Sequence, residues 1–284
     1  MLSADQALTA WAERVRLNRE QVEQHKEAEA GRDFYAPVAS LFRADPSRTD
    51  DPVLDVLRTL VRPDDTVLDI GAGGGRYALP LALVVREVLA LDPSEGMLAI
   101  LGQGMAEHGI TNVRLVQSRW PVNAATAEQR GASAPERKLE ADVALIAHVG
   151  YDIEQIGPFL DAMERAARRL CVAVLLDGPP PSAADQLWPE IHGLQRASLP
   201  ALREFLEVLL ARGTLFEVRL MERTPMSYAE PEQALAWARQ QLWTRPGSAK
   251  DQRLQRLVHE RLIPGEGGLT LAGQPRRVGV VTWH

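Results

Sequence analysis

A short apolar strand that runs into a glycine-rich turn is the feature that most constrains how this chain can fold. The strand and turn occupy residues 67–76, with the sequence VLDIGAGGGR. Glycines at three alternate positions remove side chains where the backbone must turn sharply, and they let a ligand approach the main chain closely. A strand, a turn of this kind and a helix-compatible segment after it predict a site for a nucleotide-type ligand.

An acid follows the turn at the distance that recognition of a ribose requires. Asp92 stands about 21 residues after Gly71, at the end of a second apolar run over residues 88–91. A carboxylate in this position can accept hydrogen bonds from both hydroxyl groups of a ribose. The two features together predict a ligand that contains a nucleoside.

The spacing of the glycines distinguishes two classes of cofactor. Dinucleotide enzymes use the pattern Gly-x-Gly-x-x-Gly, which would need a glycine where this chain has Arg76. The third glycine comes one residue earlier, at Gly75, and an acid, Asp69, precedes the turn. The resulting pattern, Asp-x-Gly-x-Gly-x-Gly over residues 69–75, resembles the first motif of class I S-adenosylmethionine-dependent methyltransferases.

The resemblance implies both a cofactor and a fold. The cofactor would be S-adenosylmethionine, whose methionine arm carries an ammonium and a carboxylate but no pyrophosphate. Asp69 would face the ammonium, and the turn amides of Gly71, Ala72 and Gly73 would face the carboxylate. The fold would be α/β, a doubly wound, seven-stranded, mostly parallel, Rossmann-like sheet, and the alternation of strand and helix patterns along the chain favours such a parallel sheet.

A second motif of the family is matched around the acid. In the segment Asp92-Pro93-Ser94-x-x-Met97, the resemblance implies that Asp92 holds the ribose and that Met97 contacts the adenine, with Pro93 between them. Plain helix packing is the alternative role for Met97, and both roles are compatible. We therefore expect residues 92–97 to form the ribose and adenine side of the cofactor site.

The chain departs from the family after the third strand. The family usually places there an acid that accepts from the adenine amino group, but this chain has Arg119. The adenine contact then falls to the hydroxyl of Ser118 or to a backbone carbonyl, and Trp120 could cover a face of the ring. The alternative for Trp120 is a place in the core or in a lid.

The segment after the fourth strand supplies the catalytic candidate. The family places residues that face the transferable methyl group there, and this chain has His148. An unperturbed imidazole titrates near pH 6.5, so His148 could take a proton from an attacking hydroxyl or amine; alternatively it only shapes the cofactor pocket. Tyr151 and Tyr35 are the predicted substrate contacts, with Tyr35 closing over the cofactor. The alternative for Tyr35 is core packing of the cap, and the alternative for Tyr151 is that it only begins the next helix.

The domain organisation follows from the helical patterns outside the motifs. Residues 1–50 are predicted to form an N-terminal helical cap, and residues 51–284 the methyltransferase-like domain. Two helix patterns near the C-terminus predict an insertion at about 229–264 that walls the acceptor pocket. Residues 123–140 are rich in alanine and polar residues without a period of two, and we expect a loop or a surface helix there.

Composition excludes several function classes. The formal net charge of −6 provides no overall basic footprint for nucleic acid, so we expect a small-molecule acceptor. The N-terminus lacks the pattern of a signal peptide and no 18 apolar residues occur together, which predicts a cytoplasmic protein without membrane contact. The histidines and acids lack metal-ligand spacing, so we expect no catalytic metal.

Two alternative functions remain open from the sequence. A nicotinamide-dependent oxidoreductase is disfavoured by Arg76 and by the lack of a recognisable catalytic set. A non-catalytic S-adenosylmethionine-binding protein would keep the same cofactor motif. A nucleic-acid methyltransferase is less favoured, because the chain has no Asn-Pro-Pro-Tyr type signature after the fourth strand.

Overall fold

The structure is a computed structural model that describes residues 2–29, 31–122, 139–178, 182–265, 267–274 and 277–284. The loop or surface helix expected at 123–140 lies outside the described residues, apart from its last two positions. The chain beyond this segment continues with the predicted alternation of strands and helices.

A seven-stranded sheet forms the centre of the fold, in the order β3-β2-β1-β4-β5-β9-β6. Strands β1 to β5 pair in parallel, whereas β9 is antiparallel to both of its neighbours. The prediction of a doubly wound, mostly parallel sheet is confirmed. The strands are β1 (Thr66–Ile70), β2 (Glu87–Asp92), β3 (Val113–Gln117), β4 (Ala141–Ala147), β5 (Ala167–Leu176), β6 (Phe216–Glu222) and β9 (Arg277–Trp283).

Helices flank the sheet, and a short hairpin of β7 (Leu262–Gly265) and β8 (Gly268–Leu271) lies apart from it. A 3-10 helix spans Ala36–Phe42. The α-helices are α1 (Ala4–His25), α2 (Pro52–Leu60), α3 (Ala78–Ala82), α4 (Glu95–His108), α5 (Ile156–Ala166), α6 (Ser182–Asp185), α7 (Trp188–His192), α8 (Leu202–Ala211), α9 (Pro231–Leu242) and α10 (Ala249–Arg261).

Both faces of the sheet are covered, which explains why every residue of β1 is buried. On one face Leu68 and Ile70 join a cluster with residues of α1, α5 and α8. On the other face Val67 joins a cluster with residues of α2 and α3. The alternation of side chains along β1 thus divides the core into two layers and leaves the ends of the strands available for a site.

Helix α1 contributes to the first of these layers. The ring of Trp11 packs edge-on against Phe205 of α8, with 6.3 Å between the ring centroids. The Trp11 indole nitrogen donates to the carbonyl of Ile153 at 2.8 Å. Residues 1–50 therefore contain a helix that covers the sheet itself, and the boundary of the cap at residue 50 stays a prediction.

A third hydrophobic cluster is built mainly from α9, α10 and β8, which lie between β6 and β9 in sequence, together with α6 and α7, which precede β6, and Val22 of α1. Asp251 links α9 to α10, because its two carboxylate oxygens accept from Arg239 at 2.6 and 3.0 Å. Both expected helices are present, whereas the hairpin and the two short helices were not predicted. In the described ranges no helix is both long enough and apolar enough to cross a membrane.

Candidate cofactor and acceptor site

The glycine turn is open at its centre and closed at its beginning. Gly73 has a φ of 54°, in the left-handed region, and a Cβ added there would meet no atom within 4 Å. A Cβ added at Gly71 would lie 2.4 Å from a methyl group of Val149. The protein therefore does not fill the turn above Gly73, and a ligand can reach the main chain there.

The main-chain amides of the glycine turn donate hydrogen bonds to other groups of the protein. The amides of Gly71 and Ala72 both donate to the carbonyl of Leu91, at 2.7 and 3.0 Å. The Gly73 amide donates to the carboxylate of Asp92 at 2.9 Å. These bonds hold the turn against β2. Because the three N–H groups already have acceptors within the protein, a cofactor would mainly contact the exposed surface of the turn.

Asp92 faces the turn with both carboxylate oxygens in use. One oxygen accepts from the Gly73 amide and the other accepts from the Ser94 amide at 2.8 Å. Each oxygen keeps a lone pair that can accept from a ribose hydroxyl. Burial raises the pKa of Asp92 above its usual range, although the two amide donors oppose this shift.

Asp69 is the acid whose environment best fits a bound cation. Only 2% of its surface is exposed, and its Oδ1 has no hydrogen-bond partner among the described residues. Burial, together with the charge of Asp92, raises the pKa of Asp69 to about 7. A buried acceptor without a donor needs a partner, and the ammonium of a methionine arm would supply one. The residues present therefore fit the cofactor that the sequence implies.

The N-terminal segment is pinned to the second motif by Asp33. Its Oδ2 accepts from the Ser94 hydroxyl at 2.8 Å and from the Gly96 amide at 2.9 Å, at the start of α4. Ser94 in turn caps the helix, because its hydroxyl accepts from the Met97 amide at 3.0 Å. Met97 is buried and Pro93 is exposed. The sequence provided no signal for Asp33, because its partners lie about sixty residues further along the chain.

Tyr35 lies on the same side as the two cofactor acids. Its ring packs edge-on against Phe34 and Phe42, with centroids 5.1 and 6.0 Å away. Tyr35 is 42% exposed, and the surrounding protein, followed by the charges of Asp152 and Asp92, raises its pKa above the usual range. Tyr35 is thus at the place from which a residue of this segment could cover a bound cofactor.

Of the predicted cofactor contacts that follow β3, only some lie beside Asp92. The Ser118 amide donates to the main-chain carbonyl of Asp92 at 3.2 Å, and Arg119 is exposed beside it. Trp120 is half-buried against the core, and its indole nitrogen donates to the carbonyl of Phe159 at 3.2 Å. The structure therefore ties Trp120 to α5, and its contact with adenine stays a prediction.

His148 occupies a constrained position at the end of β4. Its backbone has a φ of 59°, uncommon for a residue with a side chain, and its amide donates to Val174 at 2.8 Å. Nδ1 of the ring is buried and has no partner in the described part of the chain. Burial, and then the charges of Arg223 and Arg76, lower the pKa of His148 to about 3. The imidazole is therefore neutral at physiological pH.

Tyr151 connects the same loop to β5. It is 4% exposed, and its hydroxyl accepts from the Leu176 amide at 2.8 Å. Burial raises the pKa of Tyr151 well above its usual range, so the hydroxyl keeps its proton and can donate it. A contact between Tyr151 and an acceptor stays a prediction.

The sequence did not predict a group of arginines in which the charges of Arg223 and Arg76 both act on His148. One carboxylate oxygen of Asp51 accepts from Arg76 at 2.8 Å and from Arg48 at 3.0 Å. The other oxygen caps α2 by accepting from the amides of Val53 and Leu54. Both guanidinium groups also lie over the ring of Tyr77, at 5.5 and 5.6 Å from its centroid. We call Arg48, Arg76 and Arg223 the basic group of the site.

The comparisons with known sequences point to one family. Residues 67–168 match the family model described as a methyltransferase domain. The chain is 41% identical over 63 residues to an uncharacterized protein from Haemophilus influenzae, a match that covers 22% of this chain and 24% of that protein. It is 34% identical over 85 residues to the 23S rRNA (uracil(1939)-C(5))-methyltransferase RlmD from Xanthomonas euvesicatoria, covering 30% of this chain and 18% of the enzyme. The chain thus spans a quarter or less of these curated relatives.

Solved structures share the fold over most of the chain. The [4+2]-cyclase SpnF superposes with a TM-score of 0.51 at 16% identity, covering 88% of this chain and 93% of SpnF. A protein from Bacillus halodurans C-125 assigned as a methyltransferase superposes with a TM-score of 0.50 at 14% identity, covering 81% of this chain and 96% of that protein. The matched domain, the sheet order and the two acids of the candidate cofactor site all favour S-adenosylmethionine over a nicotinamide cofactor. The match identifies residues 67–168, which carry both cofactor motifs, as a methyltransferase domain.

Proposed function

We propose that this protein transfers the methyl group of S-adenosylmethionine to a small-molecule acceptor. The observation that carries the proposal is the pair of buried carboxylates, Asp69 and Asp92, beside a turn that is open above Gly73. When bound, the cofactor supplies an activated methyl group together with its leaving group. The fold alone would not support this conclusion, because a [4+2]-cyclase shares it.

The residues on the two sides of the turn would divide the work of binding. Asp69 would bind the ammonium and Asp92 the ribose hydroxyls, and Tyr35 would cover the bound cofactor and exclude water. The adenine would lie beyond Asp92, where Met97, Pro93, Ser118, Arg119 and Trp120 are the predicted contacts.

His148 would position the acceptor through a hydrogen bond and would not act as a general base that keeps the proton. In the transfer, the electron pair of the acceptor atom forms the bond to the methyl carbon, and the pair of the broken carbon–sulfur bond stays on sulfur. A proton on the acceptor atom can be held by the neutral imidazole through a hydrogen bond and then pass to water. A base with a pKa of about 3 cannot retain that proton at neutral pH.

Charge favours a small molecule over RNA as the acceptor. RNA binding depends on phosphate contacts from a basic surface, whereas the net charge of this chain is −6. The similarity to the rRNA methyltransferase is confined to 85 residues. A cytoplasmic location likewise remains a proposal from the sequence.

Calorimetric titration with S-adenosylmethionine tests the proposal. We expect saturable binding with one site per chain, and we expect Asp92→Asn to weaken it. Asp64→Asn, which changes an exposed acid before β1, is the matched control. No heat at millimolar cofactor would refute the proposal. Binding without transfer of a labelled methyl group to any acceptor in a broad metabolite panel would favour the non-catalytic alternative.

A further inference from the structure

The polar residues of the site follow the order of the strands along one edge of the sheet. Asp92 ends β2, Asp69 lies in β1, and His148 follows β4. Beyond β5 and β9 comes β6, which ends at Glu222 and is followed by Arg223. The cofactor acids thus lie at one end of this edge, and a cation lies at the other.

Arg223 acts electrostatically on two residues that follow β4. Three strand spacings separate β6 from β4, which is about 14 Å. The charge of Arg223 nevertheless adds to the effect of burial in lowering the pKa of His148, and at Tyr151 it opposes the larger rise in pKa that burial causes. Arg223 is also half-buried, although it follows a strand at the edge of the sheet.

Arg223 is a half-buried cation without an anion. In the part of the chain that the structure describes, it makes no ion pair and no hydrogen bond, whereas Arg48 and Arg76 share the carboxylate of Asp51. Burial and the charge of Arg76 lower the pKa of Arg223, as expected for a half-buried guanidinium without an ion pair. A desolvated guanidinium gains most from a carboxylate, which it can bind through two parallel hydrogen bonds.

Tyr228 provides a second donor near Arg223. It is 1% exposed, and its hydroxyl has no hydrogen-bond partner among the described residues. Its main chain pairs with Leu269 of β8 through bonds of 2.7 and 2.9 Å, and its ring packs against Trp237 of α9. The segment between Arg223 and Tyr228 is held as well, because the side-chain amide of Gln274 both donates to and accepts from the main chain of Met226 at 2.8 Å. The donor is thus fixed before any ligand arrives.

We propose that Arg223 and Tyr228 bind a carboxylate of the methyl acceptor, so that the substrate is a small organic acid. The inference rests on the proposed function, because it assigns the substrate class of that same site. The acceptor would lie between Arg223 and the end of β1, with the atom that receives the methyl group beside His148. The elements between β6 and β9 then have a role, since they hold the residues that recognise the acid.

The carboxylate of the cofactor itself is the competing ligand for this cation. Arg76 follows the glycine turn directly, whereas β6 is four strand spacings, or about 19 Å, from β1. The position of Arg223 therefore favours the acceptor, and the contribution of each arginine to cofactor binding can be measured separately.

The test compares an acid with a neutral molecule of the same shape. Benzoate and benzamide are titrated into the protein saturated with S-adenosylhomocysteine. We expect benzoate to bind at least about tenfold more tightly than benzamide, and Arg223→Gln to remove that preference. Arg219→Gln removes an exposed arginine from the same strand and should leave benzoate binding within about twofold of the unmodified protein. Equal binding of the two probes, or an unchanged preference in Arg223→Gln, would overturn the proposal.

A second measurement separates the acceptor from the cofactor. Arg223→Gln should bind S-adenosylmethionine and 5′-methylthioadenosine, which lacks the methionine carboxylate, as the unmodified protein does. A loss confined to S-adenosylmethionine would instead assign Arg223 to the cofactor and overturn the inference. If Arg223→Gln fails to fold, Tyr228→Phe must weaken benzoate binding by about two- to tenfold for the inference to stand. Cofactor binding without any preference for the acid would refute this inference alone, whereas absence of cofactor binding would refute the proposed function.

Discussion

The Gly73 amide donates to the carboxylate of Asp92 at 2.9 Å, so the acid expected to hold the ribose is fixed to the turn expected to hold the methionine arm. A change at either residue is therefore transmitted to the other. The Ser94 amide holds the second oxygen of Asp92 at 2.8 Å, which leaves the carboxylate little freedom to rotate.

Asp92→Asn should weaken binding of S-adenosylmethionine by roughly 1.5 to 3 kcal/mol. An asparagine can offer its oxygen to only one of the two amides, so its NH2 group must face the other donor, and the charged contacts with the ribose are lost. Calorimetry measures the change, with Asp64→Asn as the control. An affinity equal to that of the unmodified protein would show that Asp92 does not bind the cofactor.

The affinity for S-adenosylmethionine should depend on pH through Asp69. Its pKa is raised to about 7, and a cation binds only the ionised carboxylate. As the pH falls below 7, a growing fraction of Asp69 is protonated, so the affinity should fall by up to about tenfold per pH unit. The ligand's α-amino group stays protonated below about pH 7.7 and does not cause this trend.

Titrations between pH 5.5 and 7.5 measure this dependence. Asp69→Asn should bind more weakly at pH 7.5 and should lose most of the pH dependence, whereas Asp64→Asn should keep it. A pH dependence that survives in Asp69→Asn would assign the titration to another group.

Asp69→Asn should also stabilise the protein without cofactor at pH 8. The folded pKa of about 7 lies above the ordinary value near 3.9 of the unfolded chain, so the folded state binds the proton more tightly. The free energy of unfolding contributed by Asp69 is therefore present below about pH 4 and is lost as the pH rises to about 7. A neutral amide avoids the buried charge, and we expect a gain of about 1 to 3 kcal/mol in urea denaturation at pH 8. A variant that is less stable than the unmodified protein at pH 8 would contradict this account.

The proximity of Asp92 to the glycine turn could be predicted from the sequence because it is local. Asp69, Gly73 and Asp92 belong to two adjacent strands and the turn after the first of them, and their spacing is set by one strand–helix–strand unit.

The basic group could not be predicted, because its members come from separate segments. Arg48 precedes α2, Arg76 follows the turn and Arg223 follows β6, and only the order of strands in the sheet brings them together. The environment of His148 was missed for the same reason, since the two arginines that lower its pKa are distant from it in sequence. The short helices α6 and α7 have too few turns to produce a periodic pattern.

Asp251→Asn should destabilise the elements between β6 and β9 without affecting cofactor affinity. Asp251 is fully buried, binds Arg239 through two oxygens and accepts from the Gly247 amide at 2.8 Å. Removing one partner of a buried ion pair leaves the other uncompensated, which costs about 3 to 5 kcal/mol. Urea denaturation followed by tryptophan fluorescence measures the loss, with Glu232→Gln on the exposed face of α9 as the control. A loss below about 1 kcal/mol would show that this ion pair does not hold the two helices together.

A comparison of Gly73→Ala with Gly109→Ala should separate the cost of backbone strain from the loss of space for the cofactor. Gly73 and Gly109 both have a positive φ, 54° and 65°, and a Cβ added at either would meet no atom within 4 Å. Alanine at either position should therefore cost a similar free energy of unfolding, about 1 to 2 kcal/mol. Gly109 ends α4, away from the turn, so Gly109→Ala should bind S-adenosylmethionine normally. Gly73→Ala places its methyl group in the open space above the turn and should bind the cofactor at least about tenfold more weakly. Equal cofactor affinities in the two variants would mean that the cofactor does not approach the main chain at residue 73.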